Sequence, residues 1–336
     1  MRFQRVILFG AVAVLLAGQA AAFGTVSFLG QNREHERITR HALACGEDGG
    51  PTGNDCFEAA SLDELAGAST TFGAVGAPDN PARGLMSSSA AHCDNGDYLD
   101  PAGGAAYAQT PAAARATLET CRAWMLTNFT AARTDAAALL NADGSINGSQ
   151  IPPPGDCNYN GRKGRAKCNV VEDLGLTLHA TEDFYSHTNF VDAPDPAQPI
   201  SRANPPGLHQ DGPSPWLDLS KATADVTFPD GLISGCFQNL RLGSDQNGCP
   251  GRVPHEFLNK DKGGIDNANG QIQFGAGTTA RGAIGDNFQR AVRTAIADTR
   301  RQWASLRAAL IAAYGQTRGG MMICAITHDD PSRTCH

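Results

Sequence analysis

The order of apolar and polar positions along the chain predicts helix in four stretches. The clearest runs from Ile284 to Tyr314, where Phe288, Val292, Ala295, Thr299, Trp303, Leu306 and Leu310 recur at spacings of three and four. Pro111 to Leu140 opens with Thr110 at a capping position and Pro111 at the first helical position. It then carries Leu118, Trp124, Met125 and Phe129 through an alanine-rich segment. Arg33 to Ala44 predicts a short helix after Gly30-Gln31-Asn32, and Val170 to Phe190 another, bearing Val171, Leu174 and Leu178. Alternation of period two is missing at useful length, although Gln271 to Phe274 reads as a short strand. Long irregular segments lie between, at Gly46 to Asp55, Gly148 to Lys167 and Asp192 to Pro254, the last rich in proline and glycine. The expectation is an all-α chain: a single helical domain with long loops.

The beginning of the chain reads as an address. Arg2 and Arg5 precede an apolar run from Val6 to Ala17, and Ala20-Ala21-Ala22 offers a small-residue cleavage site before Phe23. The run is shorter than the ~20 apolar residues that span a bilayer, so residues 1–22 are expected to be a secretory signal and 23–336 the mature domain. No second stretch approaches spanning length, so no integral membrane segment is expected. All ten cysteines follow the cut: Cys45, Cys56, Cys93, Cys121, Cys157, Cys168, Cys236, Cys249, Cys324 and Cys335. Their spacing suits five local loops, one among many pairings, and no C-x-x-C motif is present. Disulfides, and hence a secreted or periplasmic location, follow as the expectation.

Composition changes this picture little. Across 336 residues, 41% hydrophobic and 18% charged, neither disorder nor a collagen-like repeat is indicated. A net charge of −7 argues against an exposed basic groove for duplex nucleic acid, but not against a buried cation site.

The chemistry concentrates in Leu178-His179-Ala180-Thr181-Glu182-Asp183-Phe184-Tyr185-Ser186-His187-Thr188-Asn189. His179, Asp183 and His187 stand at i, i+4 and i+8, a drift of only about 80° around a helix axis over two turns. They therefore share one face, and apolar Leu174, Leu178 and Phe184 beside them turn that face inward. Two imidazoles and a carboxylate together suit Zn²⁺. The competing interpretation is a buried polar face whose histidines bond to backbone.

The string L-H-x-x-E-D-F-x-x-H-x-N resembles the signature of the heterokaryon-incompatibility protein C (Het-C) family. More distantly, it is similar to the central helix of the zinc-dependent phospholipase C and single-strand nuclease superfamily. That resemblance implies an all-helical secreted fold with long disulfide-stapled loops, and three zinc ions in a cleft that hydrolyses phosphodiesters. His179 and Asp183 match the superfamily's H-x-x-x-D pair, and His187 comes sooner than its usual third histidine. His35, in Asn32-Arg33-Glu34-His35, matches the first histidine. Asp79, closing Gly73-Ala74-Val75-Gly76-Ala77-Pro78-Asp79, matches a loop aspartate, and His92 in Ala91-His92-Cys93-Asp94 the next histidine. His255 offers the late histidine. Asn259 stands where the partnering acid usually sits, so Asp261 takes that role here, with Asp286 and Asp298 as alternatives. Phe23 replaces the N-terminal tryptophan through which well-known members bind a metal.

The resemblance thus implies two or three zinc ions. His35, Asp79, His92, His179, Asp183, His187, His255 and Asp261 are the expected ligands, with Asp183 bridging and serving as the catalytic residue. Glu182 is expected either to orient a ligand histidine or to be an ordinary exposed helix residue. The expected activity is hydrolysis of a phospholipid head group or nucleic-acid phosphodiester. The alternative is a non-catalytic, metal-stabilised, Het-C-like interaction protein. Other signatures are poor: no G-x-S-x-G elbow occurs, and His255-Glu256 lacks the second histidine of H-E-x-x-H because residue 259 is Asn. Gly275 to Ala280 reads as a flexible loop, and Asp94-Asn95-Gly96-Asp97 as a turn, with a Ca²⁺ site as the alternative.

Overall fold

A computed structural model describes residues 23–27, 31–99, 107–238, 249–268 and 271–336. The expected signal, residues 1–22, lies outside them. Eight α-helices are assigned among the described residues: α1 (Glu34–Leu43), α2 (Ala59–Ala66), α3 (Ser89–His92), α4 (Pro111–Asp135), α5 (Ala166–His187), α6 (Asn287–Tyr314), α7 (Gln316–Thr327) and α8 (Pro331–Thr334). Strands β1 (Gly263–Ala268) and β2 (Gln271–Gly277) pair antiparallel with Ile265 opposite Phe274. The chain is therefore mostly helical, as expected, with one hairpin. Its second strand takes in Gly275 to Gly277, so the flexible loop expected there is in part sheet.

Helix α5 is the axis of the fold. Every residue from Val170 to Asp192 is buried, because α4 and α6 pack along it and α1, α2, α3 and α7 close the remaining sides. A helix buried all round needs apolar residues or self-satisfied polar ones on every face. Thr177 and Thr181 meet that need by donating their hydroxyls to the carbonyls of Asp173 and Thr177, at 2.9 and 2.8 Å. Helix α4 starts as its sequence predicts, with the Thr110 hydroxyl accepting from the Ala113 amide at 3.1 Å. All seven residues of the α6 stripe are buried in the main core.

Two close approaches bring loops onto α5 and its surroundings. Gly175 lies so near the 73–77 segment that a Cβ there would sit 2.4 Å from the Ala74 carbonyl carbon. This notch lets the short turn Ala77–Asp79 rest against α5. A Cβ on Gly235 would sit 2.3 Å from the His255 Cα, so strand-like segment 234–236 can pair with the 253–255 segment.

Five disulfides join cysteines that follow one another in sequence: Cys45–Cys56, Cys93–Cys121, Cys157–Cys168, Cys236–Cys249 and Cys324–Cys335. They fit an oxidising compartment. No helix among the described residues is long and apolar enough to cross a membrane.

Candidate metal centre

Five histidines and five carboxylates meet on the inward face of α5. His179, Glu182, Asp183 and His187 come from α5 itself. His35 comes from α1, Asp79 from the turn after the Gly175 notch, and His92 from the end of α3. Cys93 adopts a left-handed conformation at φ 55° and turns the chain, so that Asp94 joins from the following residue but one. His255 and Asp261 come from the segment that enters β1.

The hydrogen bonds determine which nitrogen of each ring faces the middle. His35 donates its Nδ1–H to Glu182 Oε2 at 2.7 Å, leaving the Nε2 lone pair 3.2 Å from Asp183 Oδ1. His92 donates Nε2–H to the Leu85 carbonyl at 3.2 Å, leaving Nδ1 2.9 Å from Asp183 Oδ2. His187 donates Nδ1–H to the His92 carbonyl at 2.7 Å, leaving Nε2 3.1 Å from Asp261 Oδ1 and 3.8 Å from Asp183 Oδ1. His255 donates Nδ1–H to Asp94 Oδ1 at 3.0 Å, leaving Nε2 3.2 Å from Asp261 Oδ2. In these four rings the outer nitrogen is fixed by an acceptor and the inner one faces a carboxylate, the arrangement that orients metal-binding imidazoles, whereas His179 turns Nε2 inward and its Nδ1 is buried without a hydrogen-bond partner.

Ring nitrogens and carboxylate oxygens this close are held together either by protons on the imidazoles or by a metal ion between them. His35 Nε2, His187 Nε2 and Asp183 Oδ1 are buried without any hydrogen-bond partner. On the other oxygen of Asp183, His92 Nδ1, His179 Nε2 and Asp183 Oδ2 stand 2.9–3.0 Å from one another. Asp79 Oδ1 lies 4.0 Å from His92 Nδ1, and Thr25 donates to its other oxygen at 3.3 Å. A tetrahedral site with ligands at about 2.0–2.2 Å has ligand–ligand edges of about 3.3–3.6 Å, so these atoms need to move apart only slightly to surround a divalent ion. Three groups, His35/His179/Asp183, Asp79/His92/His179 and Asp94/His187/His255, each bring ligand atoms within 4.8 Å, and the first two share His179. Cys324, His328 and Cys335 form a further such group, but those two cysteines are bonded to each other.

Electrostatics points the same way. Burial opposes protonation of His35, yet Asp183 and Glu182 outweigh it and raise its pKa to about 10. Burial likewise opposes protonation of His255, but Asp94 and Asp261 raise it to about 9. His187 and His92 are raised against the same penalty by their carboxylate neighbours. His179 is lowered, by burial first and then by His35, with Asp183 pulling the other way. Burial pushes Asp183 upward, but His179, His187 and His35 hold it well below the ordinary carboxylate range. The cluster is short of positive charge. A metal ion or imidazolium protons must supply it.

All eight sequence-derived ligand candidates, His35, Asp79, His92, His179, Asp183, His187, His255 and Asp261, come together here. Glu182 is fully buried and accepts from His35, Thr39 and Thr299, so the exposed alternative is corrected. Asp298 is elsewhere: it accepts from Tyr185, Arg301 and Gln302 and has no part in the centre. The Asp94–Asp97 turn also divides. Asp94 faces His187 and His255, whereas Asp97 binds Arg252 and Tyr107, so the two do not converge on a calcium ion. Sequence reasoning missed Asp94 as a member of this centre; its only signal is its place two residues after His92. No family profile, curated protein or solved structure matches this chain.

Proposed function

We propose that the chain is a zinc-dependent hydrolase of phosphodiesters, holding two or three ions among His35, Asp79, His92, His179, Asp183, His187, His255 and Asp261. The observation that carries this reading is the division of Asp183. Its Oδ2 faces His92 and His179, and its Oδ1 faces His35 and His187. A carboxylate so divided would serve ions held on either side by these histidines, and those ions would supply charge stabilisation to a phosphoryl group.

Zinc bound there supplies Lewis acidity and lowers the pKa of bound water toward neutrality. The protein's own residues prepare the site. Glu182 commits the His35 Nδ1–H and so holds Nε2 toward Asp183. The His92 carbonyl does the same for His187, and Asp94 for His255. Asp79 is the least buried member, its side chain 10% exposed against 0% for His35, His179 and Asp183, which marks the side of approach for substrate. The acidic total favours a phospholipid head group or small phosphodiester over a long polyanion.

One observation favours a second reading, a metal-stabilised interaction protein without catalysis. Apart from Asp79 the ligand side chains are at most 4% exposed, and structural zinc sites are closed where catalytic ones keep an open position. Elemental mass spectrometry and hydrolysis of bis(p-nitrophenyl) phosphate separate the two, with His179→Ala and Asp183→Ala beside the wild type. Bound zinc with turnover lost in both variants supports the hydrolase. Bound zinc without turnover selects the second reading, and absence of metal defeats both.

A further inference from the structure

We infer that residues 80–88 form a flap over the metal centre and that the ion pair between Arg83 and Glu172 is its latch. The flap is bounded by two members of the centre, Asp79 before it and His92 after it. It also lies directly on one of them, since the His92 Nε2–H donates to the Leu85 carbonyl at 3.2 Å. His92 and Asp79 are the outermost ligands, with side chains 4% and 10% exposed. Moving Leu85 away therefore uncovers the outer edge of the His92 ring.

The flap is built to move. Pro81, Ala82, Gly84 and Ser87 are exposed, while Leu85 and Met86 are only half-buried. Its internal bonds are local: Asn80 accepts from the Ala82 amide at 3.0 Å and from the Arg83 amide at 2.9 Å, and the Ser88 amide donates to Leu85 at 2.8 Å. Gly84, at φ 73° with open space around it, supplies a joint that carries no side chain to dislodge. A segment with few buried apolar groups and short-range bonds opens at low cost.

Among the described residues, residues 81–87 reach other parts of the chain through two polar ties. One is Leu85 to His92. The other is Arg83 to Glu172 on α5, a pair in which both side chains are less than a tenth exposed. Glu172 also accepts from the Gly161 amide at 2.9 Å. A Cβ on Gly161 would stand 3.3 Å from Arg83 Nη1, so glycine leaves room for the guanidinium. Breaking the pair strands one charge in a nearly dry setting, which is what keeps the latch shut.

The test compares the full-length protein with Arg83→Ala, Glu172→Gln and Arg83→Lys. Hydrogen exchange is followed at the bonded amides of Arg83, Ser88, Ala91 and His92, with α4 as the internal reference. A release of one such tie is expected to accelerate exchange in 80–92 by about tenfold or more in the first two variants, with α4 unchanged and Arg83→Lys intermediate. On the zinc-loaded protein, removal of zinc by excess chelator is expected to accelerate by a similar factor. Wild-type exchange rates in 80–92, equal acceleration in α4, or unchanged zinc removal with faster exchange would each overturn the inference. The zinc readout rests on the metal-centre reading and the amide readout does not. If no zinc binds, only that reading fails.

Discussion

Asp183→Asn is the sharpest perturbation of the centre, because one residue serves both halves of it. The substitution keeps the volume and replaces one carboxylate oxygen by an amide that presents hydrogens to histidine lone pairs. Asp183 Oδ1 lies 3.2 Å from His35 Nε2 and Oδ2 lies 2.9 Å from His92 Nδ1, so neither half retains its shared anion. A ligand at a hundredfold excess over its dissociation constant stabilises by about 2.7 kcal/mol per site, which for two sites is about 5 kcal/mol. At about 2 °C per kcal/mol for a chain of this size, zinc should raise the melting temperature by about 10 °C. The assay is scanning calorimetry at pH 7.5 with zinc or with chelator, beside elemental mass spectrometry of the same samples. Wild-type protein should lose about 10 °C on chelation, by the same linkage relation, whereas Asp183→Asn should melt alike in both conditions and carry about two fewer ions. Identical melting of the wild type with and without chelator, or full zinc content in the variant, would refute the reasoning.

Three further outcomes follow from the same geometry. In the metal-free protein, His35 and His255 hold protons up to about 10 and about 9, above the ~6.5 of an unfolded chain. Their stabilising contribution is complete below that unfolded value and is lost as pH rises through the folded ones, so the metal-free melting temperature should fall between pH 7 and pH 10. Zinc bound there would displace those protons, so its stabilising increment should grow over the same interval, and a flat metal-free profile would contradict the assignment. Glu182→Gln removes the anion that fixes the His35 tautomer and should weaken zinc binding by about 10–100-fold in a competition with a chelating dye. Unchanged affinity would reduce Glu182 to a packing role. Gly175→Ala places a Cβ 2.5 Å from that of Ala74 and should destabilise by about 1–3 kcal/mol in thermal unfolding, despite alanine's better helix propensity. A gain in stability would show that the 73–79 segment is not seated in that notch.

Much of the helical framework was legible because its signals are local. The α6 stripe and the Thr110–Pro111 start of α4 depend on spacing and capping within one element. Helix α7 escaped: Gly315, Gly319 and Gly320 weaken any local helical pattern, yet a Cβ on Gly319 would stand only 2.8 Å from the Ile311 Cα, so the close approach to α6 needs glycine there. Helix α3, four residues long, has too little sequence for any periodicity. The His179–Asp183–His187 face was legible for the same reason as α6, since one helix sets its geometry. The resemblance supplied the loop ligands, which no local pattern distinguishes from ordinary turn residues. Asp94 shows the limit: its role depends on His255 arriving from 161 residues away, and nothing beside it in sequence announces that approach.

The cost of burying so many ionisable groups explains why the centre is braced by covalent bonds on two sides. Cys93 stands between His92 and Asp94 and is tied to Cys121 on α4, so the turn that presents both residues is held from outside the cluster. Cys236 is tied to Cys249, donates its amide to Val253 at 2.8 Å and accepts from the His255 amide at 3.0 Å, bracing the other bank in the same way. A small zinc finger, lacking such bracing and a core, depends on metal to fold at all. Here the main core extends from Phe23 to Ile326 without the histidines, and the disulfides limit how far the loops of the centre stray without an ion. Metal removal should therefore lower the melting temperature without abolishing cooperative unfolding, and the centre should reload on adding zinc to the oxidised protein. Reduction of the disulfides before chelation should remove that reversibility, because the two banks of ligands would then be held by the metal alone.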